Sequence, residues 1–340
     1  MSAQQNAALP AGLVIGGYRI VKKISTGGFS IVYLALDETN TPVAIKEYLP
    51  SSLVVRREGE LEPSIVPQNL ATFRVGLKCF FEEGRALARI SHPNVVRVLN
   101  FFRANGTVYM VMVYESGRSL QELIIRRRDT PGRDYIIGEG TIRRIFSQVL
   151  NGLREVHANK ILHLDIKPAN IYLRSDATPI LLDFGAARQT LNPDEDKLYP
   201  MYTPGFAPPE LHVKEPSLGP WSDIYSVGAA MFACLSGSPP QAADARRQAD
   251  KMPSAIRQYR AHYSPELLDL INLCLKLDPL ERPQSVFSVQ KLLLAEVVRH
   301  EPASFTDRLK RMVARSAGRG EGGTPPGSHT EPDLPTDWRK

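Results

Sequence analysis

The spacing of apolar residues changes character once along this chain, near residue 117, and that change limits the folds open to it. Before it, short alternating runs predict strands: Tyr18-Arg19-Ile20-Val21, Ile31-Val32-Tyr33-Leu34-Ala35 and Val43-Ala44-Ile45-Lys46, divided by Gly-Gly and Thr-Asn-Thr-Pro turn signals. Phe73 to Ile90 has helical spacing, two further strands are expected over 95–102 and 107–114, and 51–70 is polar and loop-like. Beyond the change, Ile142, Phe146, Val149, Leu150, Leu153 and Val156 recur at helical intervals and form one apolar face. Helical patterns follow over 222–236, 264–276 and 285–298. The chain therefore reads as α+β, a small β-rich lobe joined to a larger helical one. Residues 1–17 read as a flexible lead-in. The segment after residue 298 is basic, and from Ala317 on it is rich in Gly, Pro, Ser and Thr without periodicity, which predicts a disordered tail.

Composition narrows the classes. With 43% hydrophobic residues over 340, the chain can bury a large core, which excludes a disordered or collagen-like protein. A net charge of +6, from 42 Lys and Arg against 36 Asp and Glu, does not imply nucleic acid as a partner. Cys79, Cys234 and Cys274 lie far apart with no CxxC pair, so neither a disulfide framework nor a zinc site is expected. The longest apolar run, Val227 to Leu235, falls far short of the roughly 20 residues of a membrane helix. No positively charged secretory leader opens the sequence. A cytoplasmic location with no membrane span is the expectation.

Two strings carry the chemistry: His163-Leu164-Asp165-Ile166-Lys167-Pro168-Ala169-Asn170 and Leu182-Asp183-Phe184-Gly185. An aspartate, an asparagine five positions on and a second aspartate on a strand–turn supply hard oxygen ligands for a divalent cation and one carboxylate to orient a hydroxyl. Lys46 stands upstream in Val43-Ala44-Ile45-Lys46. In this order the set resembles the protein kinase superfamily, from about Tyr18 to about Val298. VAIKEYLPSSL and TPGFAPPE resemble bacterial serine/threonine protein kinases in particular.

The resemblance implies a two-lobed kinase domain over 18–298, with lobes 18–115 and 116–298 around an ATP cleft. It implies Asp165 as catalytic base, Lys167 as neutraliser of γ-phosphate charge, and Asn170 and Asp183 as ligands of Mg²⁺, with Mn²⁺ as a substitute. Lys46 would meet the α- and β-phosphates, paired with Glu83 in preference to Glu82. The segment Ile24-Ser25-Thr26-Gly27-Gly28-Phe29-Ser30 matches the glycine-rich phosphate cover, with Ser25 and Ser30 where the family has glycine. Serine admits phosphate to the backbone but resists positive φ. Val32 and Ala44 would roof the adenine, Met112 fits the gatekeeper, and Val113, Tyr114 and Glu115 the hinge. Leu87, Val98, His163 and Phe184 match a packed internal spine, and Asp223 a structural anchor of the catalytic loop.

Thr190, Tyr202, Thr203 and Gly205 fall in the activation and substrate loop, which Glu210 paired with Arg282 would fasten. That loop with Arg282 favours a protein kinase over a small-molecule phosphotransferase, and Lys167 two residues after Asp165 resembles the Ser/Thr-specific pattern rather than the tyrosine-specific one. Leu164 stands where the family has an arginine that binds an activation-loop phosphate, so activity independent of that phosphate is expected. The expected partners are protein substrates and a cognate phosphatase, with the chain a monomer or transient dimer in bacterial signal transduction. The alternative is a pseudokinase scaffold that binds nucleotide and a partner protein. Arg126-Arg127-Arg128, Arg133, Arg143 and Arg144 form a basic cluster read as a solvated helix end and loop, with docking of an acidic partner the alternative. Phe305 to Ala317 reads as a frayed helix capping the domain or leading into the tail, with an anionic membrane surface the alternative.

Overall fold

A computed structural model describes residues 6–130, 137–184, 203–213 and 217–295, in one compact unit. Thr190, Tyr202, Arg133, the expected frayed helix and the tail lie outside these residues.

Strands β1 (Val14–Ile15), β2 (Tyr18–Thr26), β3 (Ser30–Leu36), β4 (Pro42–Tyr48), β7 (Val98–Ala104) and β8 (Thr107–Val113) form one antiparallel sheet in the order β1-β2-β3-β4-β8-β7. A small ladder of β5 (Val54–Val55) and β6 (Ser64–Ile65) and helix α1 (Leu70–Leu87) fill the connection between β4 and β7. The alternation of β4 decides which residue faces where. Lys46 points to the cleft, and Tyr48, of the same parity, rests its ring on Phe73 and Phe80 of α1. Val43, Ile45 and Glu47 point the other way and are buried.

That second face is where sequence and structure part. The expected flexible lead-in is packed from residue 6 onward: Asn6, Leu9 and Ile15 are buried, and the Leu9 amide donates to the Tyr33 hydroxyl at 3.1 Å. The expected polar loop over 51–70 buries Leu53, Val54 and Arg56. The physical reason is Glu47. A carboxylate in a strand's apolar register needs a cation, and Arg56 supplies one across the sheet face.

The helical lobe comprises β9 (Gly117–Ser119), α2 (Leu120–Arg128), α3 (Glu139–Ala158), β10 (Ile171–Arg174), β11 (Pro179–Leu181), α4 (Pro220–Ser236), α5 (Ala243–Gln248), α6 (Ala255–Tyr259), α7 (Pro265–Cys274) and α8 (Val286–Leu294). Ser119 and Glu122 close a capping box that starts α2. Helix α3 buries the apolar stripe read from the sequence, and α4, apolar around nearly its whole circumference, forms the lobe's centre. Arg143 is not merely solvated: it bonds Glu139, Ser264 and the Leu293 carbonyl, tying α3 to α7 and α8. Residues 94–96 fasten the lobes: the Val96 amide donates to the Leu181 carbonyl and the Leu181 amide to the Asn94 carbonyl.

Candidate active site

The catalytic-loop candidates sit between α3 and β10, in a turn held from α4. Asp223 accepts the amides of His163 (2.9 Å) and Leu164 (2.7 Å), and His157 Nε2 lies 2.8 Å from the same carboxylate. Leu164 needs this support, because its φ of 59° is the left-handed region that costs a leucine about 1–2 kcal/mol. The His163 ring is buried flat against Phe184, centroids 4.3 Å apart. Its Nε2–H donates to the Leu182 carbonyl at 3.0 Å and its Nδ1 accepts the Asp165 amide at 3.3 Å, which fixes the neutral tautomer. Burial holds its pKa below the usual histidine value, against the pull of Asp223 and Asp165. His163 is therefore packing and scaffold.

Around that scaffold the charged residues converge. The Asp165 carboxylate accepts from Lys167 Nζ at 3.1 and 2.9 Å and from Asn170 Nδ2 at 2.9 Å. Lys167 Nζ also donates to Thr203 Oγ1 at 2.9 Å, joining the turn that carries Asp165 to the start of the 203–213 segment. Lys46 Nζ lies 2.9 Å from Asp183 Oδ1, across 137 residues of chain. Burial would raise the Asp183 pKa; Lys46 foremost, then Lys167, outweigh it and hold the carboxyl below its ordinary value. Glu83 is buried in the wall of the same cleft, whereas Glu82 is exposed on α1, so the helix turns the preferred of the two candidates inward.

Gly27, Gly28, Phe29, Ser30, Lys46, Glu83, Asp165, Lys167, Asn170 and Asp183 line a single cleft of about 180 Å³. Ile24, Ser25 and Thr26 lie on the exposed end of β2, outside this wall. The adenine-pocket candidates also stand apart from it, further along the strands: Val32 is in register with Lys46, and Ala44 with Met112. Val113 is half-buried, and its amide donates to the Arg97 carbonyl. Tyr114 is also half-buried, and the Glu115 side chain is held by Arg174 in two bonds of 2.9 Å, which tethers the expected hinge to β10.

The donor set suits a hard cation. Asn170 spends its amide N–H groups on Asp165 and the Asp183 carbonyl, which leaves its side-chain oxygen as the ligating end. With an Asp183 carboxylate oxygen that makes two protein ligands, the number Mg²⁺ accepts while phosphate oxygens and water complete its shell.

The pair expected to fasten the substrate loop is formed. Glu210 and Arg282 are both buried and form two bonds of 2.8 and 3.0 Å, with Ser222 donating to the carboxylate at 2.7 Å. Gly205, at φ 89°, lies where a Cβ would meet the Pro240 carbonyl at 2.7 Å.

Sequence reasoning missed the Glu47–Arg56 pair and the Arg174 tether. The first had a signal: a glutamate in step with Val43 and Ile45 on a strand. The second had none, since Arg174 and Glu115 lie 59 residues apart in ordinary polar contexts.

A curled antiparallel sheet over a helical lobe, with lysine, two aspartates and an asparagine converging where they meet, defines the kinase fold. The protein kinase domain family model matches residues 18–300, and the chain belongs to that family. Serine/threonine-protein kinase B of Synechocystis is 27% identical over 250 residues, covering 70% of this chain and 40% of the relative. The chain thus spans well under half of that relative's length. Among solved structures, the apo form of PpkA-294 is 36% identical with a TM-score of 0.74, over 84% of this chain and 99% of that one. The PknI kinase domain of Mycobacterium tuberculosis has the same fold at 22% identity, TM-score 0.62, over 84% of this chain and 98% of that one.

Proposed function

We propose that the chain is an active serine/threonine protein kinase that transfers the γ-phosphoryl of ATP to protein hydroxyls. The observation that carries this is the Asp165 carboxylate, held by Lys167 and Asn170 in the cleft that Lys46 and Asp183 also line. Asp165 orients the incoming hydroxyl and accepts its proton. Lys167, within reach of both Asp165 and Thr203, offsets charge on the transferred group, and Lys46 binds the inner phosphates. Mg²⁺ (or Mn²⁺) held by Asn170 and Asp183 supplies neutralisation of phosphate charge when bound. Turnover on a good substrate is expected at about 1–100 s⁻¹.

Activity independent of an activation-loop phosphate belongs to the same reading. Leu164 lines a cavity of about 560 Å³ together with Leu87, Ile161, Leu162 and Phe184 and with the charged Lys78, Glu82, Glu83 and Lys160, and a leucine there offers a phosphate no charged donor. The protein would act in bacterial signalling, in the cytoplasm, opposed by a cognate phosphatase. Among the described residues no helix is long and apolar enough to cross a membrane.

The test incubates wild type and Asp165→Asn with labelled ATP, Mg²⁺ and a generic basic protein, and maps phosphosites by mass spectrometry. Labelling of Ser and Thr that falls about 10²–10⁴-fold in the variant supports the kinase. Equal silence of both, with Mg-ATP still bound, supports a pseudokinase scaffold. Activity that survives phosphatase treatment of the enzyme supports the role given to Leu164; activity lost with the phosphate and regained with it sinks that role.

A further inference from the structure

A loop that covers phosphates must keep its carbonyl oxygens off them, because each is the negative end of a dipole. Here two carbonyls at the loop tip are occupied from behind. The Leu49 amide donates to the Phe29 carbonyl at 2.8 Å, and the Ser51 amide to the Gly28 carbonyl at 3.0 Å, with Ser51 Oγ 3.3 Å from the same oxygen. These bonds carry the β3–β4 ladder beyond its last register pair, Ser30 with Tyr48, onto the tip itself.

The segment that supplies them is anchored. Five residues past Ser51, Arg56 is 1% exposed and grips Glu47 with Nη1 at 2.5 Å and Nη2 at 2.8 Å. Tyr33 and Tyr109 both donate to the same carboxylate at 2.7 Å. Arg56 Nε donates to the Ala7 carbonyl and its amide to Asn6 Oδ1, which draws the N-terminal strap into the assembly. Glu47 and Lys46 are neighbours on β4 facing opposite ways, so the anchor stands on the back of the strand whose front carries the phosphate-contacting lysine.

We infer that residues 49–56 form a strut that fixes the tip of the nucleotide-covering loop, with Ser51 as its positioning contact and Arg56 as its anchor. The inference rests on the proposed kinase function only in naming Mg-ATP as the ligand. A tip ordered before nucleotide arrives spares binding part of the ordering entropy. The strut also supplies the restraint for a loop in which serines occupy flanking glycine positions.

The experiment uses the full chain and three variants: Ser51→Pro, which deletes both donors to Gly28; Ser51→Ala, which deletes only the hydroxyl; and Arg56→Met. Hydrogen exchange of residues 26–31 is followed without nucleotide. Binding of a non-hydrolysable ATP analogue with Mg²⁺, and KM and kcat for ATP, are measured in parallel. Ser51→Pro and Arg56→Met should speed exchange at the tip about tenfold and raise Kd and KM about fivefold to twentyfold, the scale of one or two hydrogen bonds. At saturating ATP, kcat should stay within about twofold, a split that general destabilisation does not produce. Ser51→Ala should change Kd by about twofold. A folded Ser51→Pro protein with wild-type exchange at 26–31 overturns the strut, whatever nucleotide does. Faster exchange in a chain whose wild type binds no nucleotide keeps the strut and removes the kinase function.

Discussion

Among the described residues, each lobe has one bidentate arginine–carboxylate pair with both side chains buried, and the two pairs do different work. Glu47 and Arg56 lie nine residues apart and bind a local insertion to its own sheet. Glu210 and Arg282 lie 72 residues apart and join the 203–213 segment to the turn between α7 and α8. The carboxylates are also provided for unequally: Glu47 receives hydroxyls from Tyr33 and Tyr109, Glu210 only that of Ser222 among the described residues. Arg282 in turn donates to the carbonyls of Lys276, Leu277 and Trp221 and stacks over Tyr225 at 5.0 Å. Similar geometry therefore closes a short excursion in one lobe and a long loop in the other, and each arginine holds further groups beyond its carboxylate: Arg56 the Ala7 and Leu61 carbonyls and the Tyr33 hydroxyl, Arg282 the three carbonyls.

The comparison breaks or holds first at the arginines. Arg282→Met and Arg56→Met each strand a buried carboxylate, which costs about 3–5 kcal/mol. Arg282→Met should sit at the upper end, since Glu210 keeps one neutral donor and Glu47 keeps two. Urea unfolding of both variants decides it, and a costlier Arg56→Met reverses the ranking. One step smaller, two glycines test how rigidly each lobe is packed. A Cβ on Gly76 of α1 would lie 1.8 Å from the Tyr48 hydroxyl, and a Cβ on Gly228 of α4 would lie 2.5 Å from Cys274 Cβ. Helix propensity favours alanine by about 1 kcal/mol, but overpacking at about 1–3 kcal/mol opposes it, so both Gly→Ala changes should lower Tm. Tyr48→Phe removes the closest atom at Gly76 and should restore part of that loss. Cys274→Ala keeps its Cβ and should restore none.

Much of this organisation was legible beforehand, for reasons that differ by region. The apolar stripe of α3 and the strands around Lys46 follow from periodicity, because each must bury one face. The converging set of Lys46, Asp165, Asn170 and Asp183 was readable because phosphoryl chemistry restricts residue types within short strings. What stayed hidden depends on pairings across the chain. Nothing local shows that residues 6–9 cover Tyr33 or that Ser51 reaches Gly28; those follow only once Glu47 is known to be buried. The adenine end was assigned by resemblance alone, and the ion pair of its Glu115 with Arg174 joins residues whose local sequence marks neither.

The smallest expected effect separates the lobes by pH. His163 is buried as the neutral imidazole, so its pKa in the folded chain lies below the unfolded value of about 6.5. Below that value the unfolded chain binds a proton that the folded chain does not. Stability associated with His163 is therefore full above about pH 6.5 and falls as pH drops, approaching roughly 1.4 kcal/mol per pH unit. Asp183 acts in the same sense but only in stronger acid, because its own pKa is depressed from the carboxylate range. The tyrosines on Glu47 behave otherwise: burial, then the neighbouring carboxylate, push Tyr33 and Tyr109 far above their usual range, so neither titrates between pH 5 and 8. Hydrogen exchange at pH 5.5 and 7.5, corrected for intrinsic rates, should show residues 160–184 losing protection in acid by about tenfold while residues 30–58 hold theirs. Equal loss in both segments would mean that the lobes open together, and that the buried pair on β4 confers no independence on its sheet.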